Sequence, residues 1–247
     1  MASGPRPGLD QERQAWAEAR LLIGVDEAGR GPLAGPVVAA AVMFPFACGE
    51  RPGTAVNPGR RGRMPVAGLR DSKTLPQHDR EKLFPMILAT AIRVAVGAAS
   101  VREIDRINIR RASALAMRRA VQRLLAAPAP VNRQPSTVNL NTCTILIDGL
   151  PLPELGFPHQ ALVDGDAKCC SIAAAGIVAK VVRDRLMARL AARHQGYGWA
   201  TNVGYHTDEH LVGIARLGAT RHHRLTFAPL AQHDLFAGLD TEDSPVV

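Results

Sequence analysis

The chain has 247 residues, 47% hydrophobic and 4% aromatic, with four cysteines in no metal-ligand spacing. No run approaches the roughly 20 apolar residues of a membrane span, and residues 1–20 lack the apolar core of a secretory signal, so a reduced, cytoplasmic protein is expected. A net charge of +8 and a pI near 10.0 point to a polyanionic partner, and the shortage of aromatic rings favours a duplex over unpaired bases.

Residues 1–20 read as an N-terminal extension with a helix around Gln11–Arg20. Leu21–Asp26 is a short apolar run suited to a buried strand, and Val37–Phe44 is a second. The brief Gly/Pro-rich link between them predicts an antiparallel pair. Residues 47–66, rich in Gly, Pro and Arg and without periodicity, read as a surface loop. Asp71-Ser72-Lys73-Thr74 leads into a helix over Gln77–Ala89, and Ala91–Ala99 alternates as a third strand.

A long helix is expected over Val101–Leu125, with Ile104, Ile107, Leu115, Val121 and Leu124 inward. Its other side carries Arg102, Arg106, Arg110, Arg111, Arg118, Arg119 and Arg123, a solvated face with room for phosphate contact. Residues 126–141 form a Pro/Asn-rich insertion. Thr144–Asp148 and Gln160–Asp166 are two more strand-like runs that end in aspartate. Ser171–Ala192 is helical; its alanines and Gly176 permit close packing on a sheet, and Arg183-Asp184 reads as a surface pair. The adjacent Cys169 and Cys170 read as small, partly buried residues rather than a disulfide. A C-terminal region over 196–239 holds a helix at Thr207–Leu217, and 240–247 is an acidic tail expected to be disordered.

The chemistry concentrates where the strands stop. Asp26-Glu27, Asp148 and Asp166 each end a strand-like run, and such ends converge on one sheet edge, where ligands collect in α/β proteins. Carboxylates gathered there repel one another and invite a hard divalent cation, Mn²⁺ or Mg²⁺. Gly29-Arg30-Gly31 follows at once: bare backbone able to take positive φ, beside a guanidinium, suits a phosphate-bearing ligand. Neighbours on a regular strand point to opposite faces, so Asp26 and Glu27 share a site only where the strand ends or bends.

These residues carry a resemblance. Gly24-Val25-Asp26-Glu27-Ala28-Gly29-Arg30-Gly31-Pro32, Asp71-Ser72-Lys73-Thr74-Leu75, Ile147-Asp148-Gly149, Gly165-Asp166-Ala167-Lys168 and Gly204-Tyr205-His206-Thr207 resemble, in order, bacterial ribonuclease HII. The resemblance implies a ribonuclease-H-like α/β fold, with a mixed sheet of about five strands flanked by helices over 21–195 and a small helical C-terminal region. It implies a monomeric endoribonuclease for RNA/DNA hybrids and ribonucleotides embedded in duplex DNA, working by two-metal in-line attack and leaving 5′-phosphate and 3′-hydroxyl ends. By resemblance, Asp26, Glu27, Asp148 and Asp166 hold the metals; Gly29, Arg30 and Gly31 read the 2′-hydroxyl; Ser72 and Lys73 contact the backbone; and Tyr205 packs at the ribonucleotide-to-deoxyribonucleotide junction.

Three positions depart from the family pattern. Asp164 and Val203 stand where lysines are usual, and Thr226 where serine is common, which predicts weaker or more salt-sensitive substrate binding. A DNA junction nuclease is the first rival reading, opposed by the Gly-Arg-Gly turn and Tyr205. A non-catalytic nucleic-acid-binding protein is the second, opposed by the intact acids. His222 and His223 read as loop or packing histidines.

Overall fold

The computed structural model describes residues 6–46, 64–127 and 140–233. Most of the 47–66 loop, most of the 126–141 insertion and the 240–247 tail therefore lie outside the described residues. A five-stranded sheet has the order β3-β2-β1-β4-β5. Its strands are β1 (Leu21–Ala28), β2 (Val37–Met43), β3 (Arg93–Ala99), β4 (Cys143–Asp148) and β5 (Gln160–Leu162). β1 pairs antiparallel with β2 and parallel with β4; β2–β3 is antiparallel and β4–β5 parallel. The mixed sheet and the antiparallel β1–β2 link match the sequence expectation.

Strand alternation sorts the side chains into two layers. Leu21, Ile23 and Val25 face one core with Ala39, Ala41, Ile145 and Ile147, roofed by α3 (Val101–Ala126). Ala40 and Val42 face the other, with the alanines of α5 (Cys170–Arg193) and with Leu83 and Ile87 of α2 (Gln77–Thr90). Two glycines let the helices lie on the sheet: a Cβ on Gly24 would meet the backbone of Ser171 and Ile172, and one on Gly97 the backbone of Ala116 and Ala120.

Helix α3 opens on a capping box, in which Ser100 Oγ accepts from Glu103 N–H (3.3 Å) and Glu103 Oε2 accepts from Ser100 N–H (2.8 Å). It is kinked at Asn108, whose φ of 66° breaks the helix and whose side chain re-caps it through Arg111 N–H. Its arginine face is less free than its sequence suggests. Arg118 donates to the carbonyls of Glu154 and Leu155, Arg119 to Ala98 and Glu103, and Arg123 to Val96. These three tie the helix to β3 and to a 3₁₀ turn at Pro153–Leu155.

At the N-terminus, α1 (Asp10–Ala17) supplies a cap for α5 from outside that helix. Glu12, 1% exposed, accepts from Ser171 N–H (2.7 Å), Ser171 Oγ (2.8 Å) and Cys169 Sγ (3.2 Å). Cys169 and Cys170 are fully buried free thiols, more enclosed than expected. The C-terminal segment has α6 (Trp199–Asn202), α7 (Asp208–Leu217) and α8 (Leu230–His233). It packs Tyr197, Trp199 and Ile214 onto Leu33 and Ala34, which belong to the turn between β1 and β2.

Candidate active site

Parallel pairing of β1 with β4 ends at Val25 beside Ile147, so the next residues, Asp26 and Asp148, follow side by side where the two strands part, each still paired with its other neighbour strand. Asp26 pairs with Ala40, on the α5 side; Glu27 pairs with Ala39, on the α3 side. Asp166 arrives differently from the sequence expectation. β5 stops at Leu162, Asp164 turns the chain with φ 55°, and Asp166 stands in the first turn of α4 (Gly165–Lys168). Carboxylate oxygens of Asp26, Asp148 and Asp166 lie within 4.8 Å of one another.

The cluster is pre-oriented by its backbone. Asp26 Oδ1 accepts from Glu27 N–H at 2.7 Å, and Asp148 Oδ1 accepts from Gly165 N–H at 2.8 Å. The bare Cα of Gly176 in α5 makes room for Asp26, since a Cβ there would strike Asp26 Oδ2. Glu27 is outside the trio and accepts from Arg30 Nη1 at 3.2 Å, yet it is near enough to raise the pKa of Asp26. Asp164 is on the surface, its side chain 74% exposed and 4.0 Å from Lys168.

Burial, then the charges of Glu27 and Asp148, push Asp26 well above the ordinary carboxylate range. Burial also raises Glu27, with Arg30 opposing it. Asp166 is pushed up to about 6 by burial, by Asp71 and Asp148, and by a hydrogen bond shared with Asp71. For Lys73, burial pulls downward, but Asp26, Asp71, Asp166 and Asp148 outweigh it and raise its pKa. Crowded all-oxygen donors that hold protons for want of positive charge fit a hard divalent cation.

The residues expected to touch substrate surround this cluster. Ser72 is buried, with Oγ 3.6 Å from where a Gly176 Cβ would stand; Lys73 is exposed at the cluster's mouth. Gly29 adopts φ 93°, and the Tyr205 ring (44% exposed) lies with Cε1 3.8 Å from a Cβ position on Gly31. The structure thus brings the glycine turn and the tyrosine together from positions far apart in the chain.

A family model described as Ribonuclease HII matches residues 23–230. The chain belongs to the ribonuclease HII family. This enzyme is 47% identical over 221 residues to the ribonuclease HII of Paracoccus denitrificans, covering 89% of this chain and 90% of that one. It is 49% identical over 215 residues to that of Rhizorhabdus wittichii, covering 87% and 91%. Its fold is similar to the ribonuclease H2 of Pyrococcus horikoshii, with a TM-score of 0.62 at 23% identity over 88% of this chain and 99% of that one. It is also similar to Bst-RNase HIII in complex with Mn²⁺, with a TM-score of 0.61 at 21% identity over 94% and 74%. The chain is an endoribonuclease of the ribonuclease H class with an acidic metal-binding trio. Among its described residues no helix is long and apolar enough to cross a membrane.

One expectation for this enzyme, that Arg183-Asp184 is a surface pair, needs correction. Arg183 is fully buried rather than a surface group, and Asp184 is 8% exposed, bound by Arg80 Nη2 (3.3 Å) and Lys180 Nζ (2.5 Å) away from the trio. His223 is the packing histidine expected, and it joins a buried network. His210 Nε2 is 3.1 Å from His223 Nε2 and accepts from Trp199 Nε1, while His210 Nδ1–H donates to the Tyr205 carbonyl at 2.8 Å. Sequence reasoning missed Asp71 as a neighbour of Asp166, and it missed Arg224. Neither has a local sequence signal; each matters only through what folds against it.

The raised acids make metal binding pH-dependent. Without metal, Asp26 and Asp166 bind protons more tightly folded than unfolded. Their contribution to stability is full below their unfolded pKa of about 4; that of Asp166 is lost as pH rises through about 6, and that of Asp26 as pH rises through its own strongly raised value. A cation must displace those protons in acid but not in base. The rise in Tm on adding Mn²⁺ or Mg²⁺ should be small near pH 5 and grow towards pH 8. An increment that stays flat across that range would contradict the arrangement.

Proposed function

We propose that this enzyme hydrolyses the RNA strand of RNA/DNA hybrids and incises duplex DNA at embedded ribonucleotides, leaving 5′-phosphate and 3′-hydroxyl ends. The observation that carries this reading is the acid trio standing beside a glycine turn whose open face is flanked by a tyrosine ring. Asp26, Asp148 and Asp166 would hold Mn²⁺ or Mg²⁺, and Glu27 would join them once drawn from Arg30. When bound, such ions make water a better nucleophile and neutralise charge on a leaving oxygen in an in-line displacement.

The chain's own groups do the rest. Hydrogen bonds from Glu27 and Gly165 fix two carboxylates before substrate arrives, so little reorganisation is left for the reaction. Lys73 offers an ammonium at the mouth of the cluster to a backbone phosphate, while the buried Ser72 steadies that segment from beneath. The Gly29-Arg30-Gly31 backbone would hydrogen-bond a 2′-hydroxyl, the group that separates RNA from DNA. Tyr205 would pack on the next sugar.

A DNA duplex bearing one ribonucleotide, incubated with Mn²⁺ or Mg²⁺ beside an all-DNA control, tests the proposal. Cleavage at the ribonucleotide alone is expected, and cutting of the control to the same extent would overturn it. Tyr205→Ala should lower kcat/KM on that substrate about 10-fold, in keeping with the ~1–3 kcal/mol of ring–nucleotide packing. Its effect on a long RNA/DNA hybrid should be smaller, because neighbouring ribonucleotides offer other registers.

A further inference from the structure

Two buried arginines lie behind the glycine turn. Arg224, fully buried, donates through Nη2 to Gly29 O (2.6 Å), through Nη1 to Arg30 O (2.7 Å), and through Nε and Nη2 to Gly35 O (3.0 and 2.9 Å). Arg183, also fully buried, donates to Pro36 O (3.1 Å), Ala34 O (3.0 Å) and Val203 O (3.0 Å). The acceptors are all main-chain carbonyls. Burying two guanidinium groups is costly, and packing stability alone would be served as well by apolar side chains.

The geometry shows what the arginines do. A trans peptide is planar, with its C=O and N–H antiparallel. Pulling the carbonyls of Gly29 and Arg30 inward therefore turns the N–H groups of Arg30 and Gly31 outward. Among the described residues, the N–H groups of Gly29, Arg30 and Gly31 donate to no protein acceptor. The same frame reaches the tyrosine. Gly204 O accepts from Leu33 N–H (2.8 Å) and Ala34 N–H (3.3 Å), and Arg224 N–H donates to Leu33 O (2.8 Å), next to the Val203 carbonyl held by Arg183.

We infer that Arg224, backed by Arg183, is a positioning residue that sets the peptide planes of Gly29-Arg30-Gly31 and thereby the discrimination of ribose from deoxyribose. This rests on the reading that the turn contacts the sugar. A lysine cannot replace the planar fork, because one ammonium cannot reach three diverging carbonyls in the guanidinium plane.

The test compares wild type, Arg224→Lys, Arg183→Lys and Gly31→Ala. Binding to a DNA duplex with one ribonucleotide and to the all-DNA duplex is measured with Ca²⁺ in place of Mn²⁺, and cleavage with Mn²⁺. Arg224→Lys should leave affinity for the all-DNA duplex and for Mn²⁺ unchanged and move the affinity ratio towards one. It should also lower kcat/KM on the order of 10²-fold, the effect of misplacing a contact by about 1 Å. Arg183→Lys should act in the same direction to a smaller degree, and it decides the matter if Arg224→Lys does not fold.

An unchanged ratio, or an equal loss of affinity for both duplexes, would overturn the inference. Gly31→Ala separates it from the reading beneath, because its added carbon meets only the Tyr205 ring. If Gly31→Ala keeps the wild-type ratio, the turn does not read the sugar. If Gly31→Ala narrows the ratio and the arginine variants do not, only the bracing role fails.

Discussion

Asp148→Asn is expected to lower Mn²⁺-dependent cleavage on the order of 10³-fold or more while leaving the fold intact. The amide oxygen can still accept from Gly165 N–H, the 2.8 Å bond that orients this side chain, so the loop it supports need not move. What is lost is one negative charge from a trio within 4.8 Å. That charge has opposite effects in two states. With a cation bound it attracts; without one it repels Asp26, which already carries a strongly raised pKa from burial and from its neighbours. The metal-free variant should therefore melt at or above the metal-free wild type, and adding Mn²⁺ should raise its Tm less. Activity assays and paired melting curves check both halves. A variant that cleaves at the wild-type rate would remove Asp148 from the chemistry.

Gly24→Val is expected to have the largest effect on stability. A Cβ at Gly24 would stand 2.5 Å from Ile172 N and 2.6 Å from Ser171 Cβ, and closer still to the Ser171 carbonyl carbon. Backbone atoms of a helix cannot rotate aside as a side chain can. α5 would have to lift from β1, and Ser171 would leave the carboxylate of Glu12 that caps it. Overpacking ordinarily costs about 1–3 kcal/mol, occasionally more, and here two of the three nearest atoms are helix main chain. Set against a total stability of about 5–15 kcal/mol, a loss of about 3 kcal/mol or more removes a large share of the margin. Gly218→Ala is the control. Its φ of 75° strains any side chain, but nothing lies within 4 Å of its Cβ, so a loss of only about 1 kcal/mol is expected. Denaturant midpoints for the two variants measure the difference. Equal losses would mean that the helix–sheet approach is not the constraint described.

Much of this was legible before any coordinates. Short branched runs ending in acids placed β1 and β4, and the short Gly/Pro-rich link between the first two runs suited the antiparallel β2 found beside β1. Asp26 and Asp148 could be grouped because each closes a strand-like run, and such ends converge on one edge of an α/β sheet. Asp166 was rightly grouped with them but wrongly set on a strand, since a run of apolar residues does not reveal that the chain turns at Asp164 and enters α4. Arg183, Arg118, Arg119 and Arg123 read as solvated because charge in a helical pattern ordinarily faces water. In the fold their donors meet carbonyls from other segments.

The sequence alone determined the kinds of chemistry present: carboxylates for a hard cation, bare backbone for a close ligand, and strands to carry them, because residue type and local period are properties of neighbours along the chain. The tertiary structure decided which oxygens meet, that Glu27 turns to Arg30 while Asp26 turns to the trio, and that Arg224 faces the carbonyls of a turn almost two hundred residues away. Those outcomes depend on strand register, on a face chosen by alternation and on closure of a long chain segment. None of these is written in any local stretch of the chain.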